Sequence, residues 1–416
     1  MSSAVVKAYL IPVLLVVLAF FFTFQFVDPP PPKQVTLTTG SSTGAYHQYA
    51  MQFKTILQRH GIELILTESQ GSVENIQRLD ASQAEVGFVQ GGTLADGQGQ
   101  ALQTLGNLYY EPLWVFHRVA DNFTKLNDLA GKTLDIGANG SGTQQLVRRL
   151  LTINGLADKV VTAQNTHQDP RSLLKSGQVD AVFLVAAATS PRIRELLEDN
   201  DIELMSFQRA KAYQRRLNFL NDLILPRGVV DLANDVPQQD KVLLAATANL
   251  VIHKDLHPAV QDLLLQAAAE IFNKGGWFEE PGEFPNIKFA DLPVSPEARR
   301  FYKYGPPFLQ RFLPFRFASL IDRLKVMILP LVVLMIPLMK IMPPIYTWRM
   351  RSKIYRWYQK LEKIDLATAQ PNTDFKRLRE QLDAIDEEVI HVKVPLSFAS
   401  QLYDLRQHIE LVKRRL

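Results

Sequence analysis

Two stretches of this chain share one local grammar, and together they limit what it can fold into. Each is a short β-rich run, then a loop of glycine and hydroxyl residues, then apolar residues at helical spacing. In the first, Val35-Thr36-Leu37-Thr38 leads through Gly40-Ser41-Ser42-Thr43-Gly44 into a helix expected over 45–58, with Tyr46, Tyr49, Phe53, Ile56 and Leu57 along it. In the second, about a hundred residues on, 133–137 leads through Ala138-Asn139-Gly140-Ser141-Gly142-Thr143 into a helix carrying Leu146, Leu150 and Ile153. Further strands are expected at 62–67, 84–89 and 180–185, with a helix at 72–79. Alternation at these lengths points to α/β layering with mostly parallel sheets, and the repeated unit points to two similar lobes.

The flanks are of a different kind. Residues 8–27 are uncharged and broken only by Pro12, Thr23 and Gln25. That length suits a helix crossing a hydrocarbon layer of about 30 Å. The run lacks a small-x-small cleavage site, so an uncleaved transmembrane anchor is expected behind a cytoplasmic 1–7; a cleaved signal peptide is the alternative. Residues 28–33 hold four consecutive prolines, a stiff spacer. The expected plan continues with 34–116 as the first part of lobe 1, 117–225 as lobe 2, 226–292 as the return to lobe 1, and 293–325 as a juxtamembrane connector. Residues 326–346 are a second apolar segment, interrupted by Lys340 and several prolines, and are expected to span or to lie at the interface. Arg349, Arg351, Lys353, Arg356, Lys360 and Lys363 crowd its far side, which the positive-inside rule makes cytoplasmic. The main domain then faces the periplasm or the cell exterior from the inner membrane.

The tail, 347–416, repeats apolar residues at 3,4 spacing: Ile354, Trp357, Leu361 and Ile364; then Leu378, Leu382, Ile385 and Val389; then Leu402, Leu405, Ile409 and Val412. These are amphipathic helices with a heptad-like seam, either a self-packed helical hairpin or a coil for self-association or a partner. The absence of cysteine removes disulfides, thiolate metal sites and a lipidated N-terminal cysteine. A net charge of +4 over 416 residues gives no reason to expect nucleic acid as a partner.

The two loops carry the candidate chemistry. A helix start leaves backbone N–H groups unpaired and partly positive, so it favours an anion, and glycine lets the backbone come close. Ordinary capping by Ser or Thr is the other reading of each loop. Taken together, two such starts on opposing lobes can grip one small anion. Neither is a Walker loop, because the Gly-Lys-Ser/Thr ending is missing. The histidines His117, His167, His253 and His257 are scattered, so no metal is expected; no cofactor and no catalytic pair is expected either. Arg192, Arg216 and Arg227 are each able to meet a carboxylate.

Five motifs in order complete the pattern: 39–46, Gly71-Ser72-Val73-Glu74-Asn75, 84–90, Gly131-Lys132 through Gly140-Ser141-Gly142-Thr143, and Val179-Asp180-Ala181-Val182-Phe183. With them the chain resembles the TAXI solute-binding subunits of TRAP transporters, in a longer, membrane-anchored branch. The resemblance covers about 35–290. It implies a two-lobed periplasmic-binding-protein-like fold of type II, and capture of a small organic anion, a dicarboxylate or acidic amino acid, for a TRAP permease. The binding residues it implies are Ser41, Ser42, Tyr46, Gln90, Ser141, Gly142 and Thr143, with Glu74 and Asn75 from the family signature. For that last pair, capping and buried hydrogen bonding at a helix start is the alternative. Thr43 and His47 depart from the family pattern. A ligand sensor or scaffold signalling through the tail is the competing function.

Overall fold

The computed structural model describes residues 29–416 apart from 96, 164–167, 313–314, 369–373 and 393, together with Leu18 and Phe21, and only some of the side chains between 309 and 346. Two compact units result, Pro30–Ser319 and Leu320–Leu416 with Met1–Pro29.

In the first unit a ten-stranded sheet has the order β2-β1-β3-β10-β4-β7-β5-β6, with β8 on β4 and β9 on β10. Its strands are β1 (Gln34–Thr38), β2 (Glu63–Thr67), β3 (Val86–Gln90), β4 (Leu102–Arg118), β5 (Thr133–Asp135), β6 (Val161–Thr162), β7 (Ala181–Val185), β8 (Ile202–Leu204), β9 (Asn221–Leu225) and β10 (Lys241–His253). The pairs β1/β2, β1/β3, β5/β6 and β5/β7 are parallel, as alternation with helices demands. The expectation of mostly parallel sheets needs correcting at the centre, where β4 and β10 run antiparallel along nearly their whole length.

This long pair makes the two lobes. One end of β10 pairs β3 through Asn249↔Val89, and the other pairs β9 through Leu243↔Leu223. β4 takes up β7 only from Leu113 onward, through Trp114↔Leu184. Lobe 1 therefore gathers β1, β2 and β3, and lobe 2 gathers β5, β6, β7, β8 and β9. Side chains alternate across β4, so Leu113 and Val115 join Leu134, Leu150 and Phe183 in one core. Trp114 and Phe116 join Val182, Ile193 and Leu196 in another. Lobe 1 is filled by Leu37, Phe53, Phe88 and Leu250.

Helices cover these faces: α1 (Ala45–Arg59), α2 (Ser72–Asp80), α3 (Gly142–Ile153), α4 (Pro170–Lys175), α5 (Pro191–Leu197), α6 (Ala210–Arg216), α7 (Pro258–Phe272) and α8 (Pro296–Tyr304). The last of these falls where a connector was expected.

The second unit holds α9 (Phe315–Thr368) from Leu320 onward, α10 (Phe375–Ile390) and α11 (Ala399–Lys413). The heptad-like seam is used within the chain: Ile354, Trp357, Leu361 and Ile364 of α9 pack with Leu382, Ile385 and Val389 of α10 and with Leu405, Ile409 and Val412 of α11. Lys413 adds ion pairs to Asp386 at 2.6 Å and Asp383 at 3.0 Å. The apolar segment 326–346 lies inside α9, with no helix break at its prolines. Among the described residues no helix is long and apolar enough to cross a membrane. The anchor expected at 8–27 lies almost wholly outside the described residues.

Candidate functional site

In both strand–loop–helix units the carboxyl end of the strand leads into a loop that lines one cleft. A cavity of about 800 Å³ opens there, and both lobes line it. That size lies within the range of small-molecule sites.

From lobe 1, β1 delivers the loop Gly40–Gly44 and the start of α1. Gly44 occupies the N-cap in extended backbone, no side chain accepts from the first turn, and no acid follows within it. Ser41 and Tyr46 line the cavity. β2 delivers Ser69 and the tip of α2, where Gly71 stands at φ 119°, a backbone that only glycine holds without strain.

From lobe 2, β5 delivers the loop to α3. Here the cap is closed: Ser141 Oγ accepts from the Gln144 N–H at 3.2 Å. Ser141, Gly142 and Thr143 line the cavity, and Thr143 Oγ1 accepts from the Val185 N–H at 3.3 Å, tying α3 to the end of β7. The starts of α4 and α5 contribute Pro170, and Ser190, Pro191 and Arg192. Five helix N-termini thus converge on one space. Three of them, α1, α3 and α5, have no acid at the N-cap or in the first turn to offset the dipole. The exceptions are α4, whose N-cap Asp169 accepts from the Ser172 N–H at 3.2 Å, and α2, whose Glu74 is bound to Arg78 and accepts from the Gln70 N–H.

Gln90 ends β3 with only 4% of its surface exposed. Its backbone N–H donates to Ser72 Oγ at 2.9 Å, and its side chain lies against Gly142 of the other lobe, where an added Cβ would stand 2.4 Å from Oε1. Gln90 lines the cavity, and its Nε2 is buried with no hydrogen-bond partner among the described residues. A buried unpaired donor is costly, so the site asks for an acceptor. Gln145 Nε2 bridges the lobes as well, donating to Thr93 O at 3.0 Å.

Of the expected site residues, Ser41, Tyr46, Gln90, Ser141, Gly142 and Thr143 line this one cavity, whereas Ser42, Glu74 and Asn75 do not. Ser42 is exposed. Asn75 is fully buried: Nδ2 donates to Thr39 O and Phe88 O, and Oδ1 accepts from Thr38 Oγ1 and Ser69 Oγ at 2.6 Å each. It ties the first loop to β3 from behind. Of the three arginines considered, Arg192 reaches the lining; Arg227 pairs with Asp235.

Sequence reasoning passes over Glu111, the one charged residue between Leu102 and Phe116, and that isolation is the signal that could have found it. Asp135, a lining residue whose Oδ1 accepts from the Gly137 N–H, was also passed over. Glu111 lies on the cavity wall, 5% exposed, and accepts from the Tyr46 hydroxyl at 3.1 Å. Burial pushes its carboxyl up to about 7, against the two tyrosine hydroxyls that favour the ionised form. Among the described residues no cluster of three or more His, Asp or Glu side chains is placed to hold a metal.

Residues 37–270, more than half of the chain, match the family described as NMT1-like. The chain belongs to the NMT1-like family. The matched span runs from β1 to the end of α7, and so takes in both lobes and every cavity-lining residue. Among solved structures, a protein of Bordetella bronchiseptica RB50 is similar at 16% identity and a TM-score of 0.40, over 58% of this chain and 72% of its own. A mutant of ArgBP from T. maritima is similar at 15% identity and a TM-score of 0.38, over 59% of this chain and 92% of its own. The alkanesulfonate-binding protein SsuA of Xanthomonas axonopodis pv. citri, bound to MOPS, is similar at 19% identity and a TM-score of 0.32, over 43% and 62%.

Proposed function

We infer that the unit 30–319 is an extracytoplasmic solute receptor that captures a small organic anion, a dicarboxylate or acidic amino acid, between its lobes. The observation that carries this reading is the convergence of five helix starts on one cavity, three of them without an acid at the N-cap or in the first turn. Each start presents N–H donors and partial positive charge to a bound acceptor. The unpaired amide of Gln90 adds a further donor. The lobe-spanning pair β4/β10 provides a hinge, and Gln90 against Gly142 is a contact that only close approach of the lobes makes.

In the same reading, 8–27 and 326–346 hold the chain at the inner membrane, and the cargo passes to a TRAP-type permease. What supports the second segment is its exposed apolar side chains: Val333, Ile336 and Met339 are all more than half exposed on α9. The test is a thermal-shift screen of the full-length protein in detergent against dicarboxylates, monocarboxylates and acidic amino acids. A ligand at about a hundred times its dissociation constant stabilises by about 2.7 kcal/mol, a clear upward shift of the melting temperature. No stabilisation by any carboxylate would end the proposal.

A further inference from the structure

Glu111 stands apart from the helix tips that make the cavity attractive to anions. It lies at the middle of β4, where the strand passes from lobe 1 to the pairing with β7 that begins at Leu113. Oε2 accepts from the Tyr46 hydroxyl at 3.1 Å, whereas Oε1 has only the Tyr109 hydroxyl at 3.5 Å, the outer limit of a hydrogen bond. Among the described residues no cation forms an ion pair with it. The groups that face it are Tyr46 and Tyr49 of α1 and Tyr109 of its own strand, with Glu279 behind Tyr49, and with Asp135 and Arg192 in the lining of the other lobe. Burial, with the nearby Glu111 charge, raises all three tyrosines, so they stay neutral.

We propose that Glu111 is a selectivity residue that meets the anionic ligand as a neutral carboxyl, its own O–H donating to a ligand oxygen, so that binding takes up a proton. The proposal rests on the anion-receptor reading. Two carboxylates in one buried site repel strongly in the low dielectric, and among the described residues no ion pair to Glu111 offsets that repulsion. Protonation removes that repulsion, and it turns the weakly bonded Oε1 from an acceptor into a donor. The free carboxyl titrates at about 7, and an anion beside it raises that value further. The bound state therefore holds the proton more tightly. Affinity for a fully ionised ligand is complete below about pH 7 and falls above it, by at most about tenfold per pH unit.

Titration calorimetry of the full-length protein with succinate, or with L-glutamate where that binds more tightly, tests this from about pH 6 to about pH 8.5. Buffers of different ionisation enthalpy count the protons. The affinity should fall about tenfold across the upper part of that range, with proton uptake approaching one per ligand. Glu111→Gln should keep binding, flatten the profile and abolish the uptake. Tyr46→Phe, which removes a donor that favours the ionised carboxylate, should move the falling limb to higher pH; this shift decides the matter if Glu111→Gln does not fold. A flat wild-type profile, or an unchanged slope in folded Glu111→Gln, overturns the proposal. So does an affinity that rises with pH, which would make the ionised carboxylate the partner of a ligand ammonium. Failure of both probes to bind at any pH overturns the receptor reading itself.

Discussion

The helix tips of α1 and α3 grow from nearly the same local sequence and end differently. At α1 the N-cap is Gly44, and the hydroxyls of Ser41 and Ser42 leave the first-turn N–H groups alone. At α3, Ser141 Oγ takes the Gln144 N–H, while Gln144 Oε1 accepts from the Gly140 N–H at 3.1 Å, so Gln144 is held from both Ser141 and Gly140. Glycine and hydroxyl composition thus marks where a helix starts without deciding who satisfies it. The difference turns on one residue: glycine directly before Ala45, serine directly before Gly142. Lobe 1 offers the ligand an open tip, and lobe 2 offers a closed, stiffer one.

The largest expected effect tests what holds the open tip in place. Asn75→Ala removes four buried hydrogen bonds that tie the start of the first loop to β3 and to Ser69. Urea unfolding should show a loss of about 3 kcal/mol. A loss under about 1 kcal/mol would mean that the loop holds its shape without this anchor. Next comes the contact between the lobes. Gly142→Ala places a methyl on the Gln90 amide, which must swing out of its buried position. Carboxylate affinity should drop about tenfold, or ~1.4 kcal/mol, with little change in unfolding. Unchanged affinity would show that the lobes close without that contact. The smallest effect sharpens the comparison itself. Ser141→Ala, which deletes the cap, should cost about 1 kcal/mol of stability. Ser41→Ala should leave stability within about 0.5 kcal/mol, and its effect should appear in ligand affinity alone. Equal stability losses would erase the distinction between the two tips.

Both loops, the helices that follow them and the tail seam were legible in the sequence, because helix starts and apolar periodicity are local signals. Glu74 and Asn75 show the limit of that legibility. They occupy the first turn of a helix that does point at the cavity, yet Asn75 faces the loop behind it and Glu74 faces Arg78. A motif shows that polar residues are needed at a turn; which side of the turn meets the ligand depends on chain that comes from elsewhere. Glu111 was hidden for a related reason. It stands among Tyr109, Tyr110, Leu113 and Trp114, a run that sequence reasoning leaves unassigned, and only the pairing of β4 with β10, some 130 residues later in the chain, makes its middle the wall of a cavity.

The two strand–loop–helix units and the apolar seam of the tail follow from the residues alone, since each depends on neighbours within a few turns. The antiparallel pair that joins the lobes, the facing of Gln90 and Gly142, and the burial of the Glu111 carboxyl with no ion pair among the described residues were settled only by the tertiary structure. Those features depend on distant segments sharing one low-dielectric space, where a charge without a partner changes its protonation more readily than it changes its place.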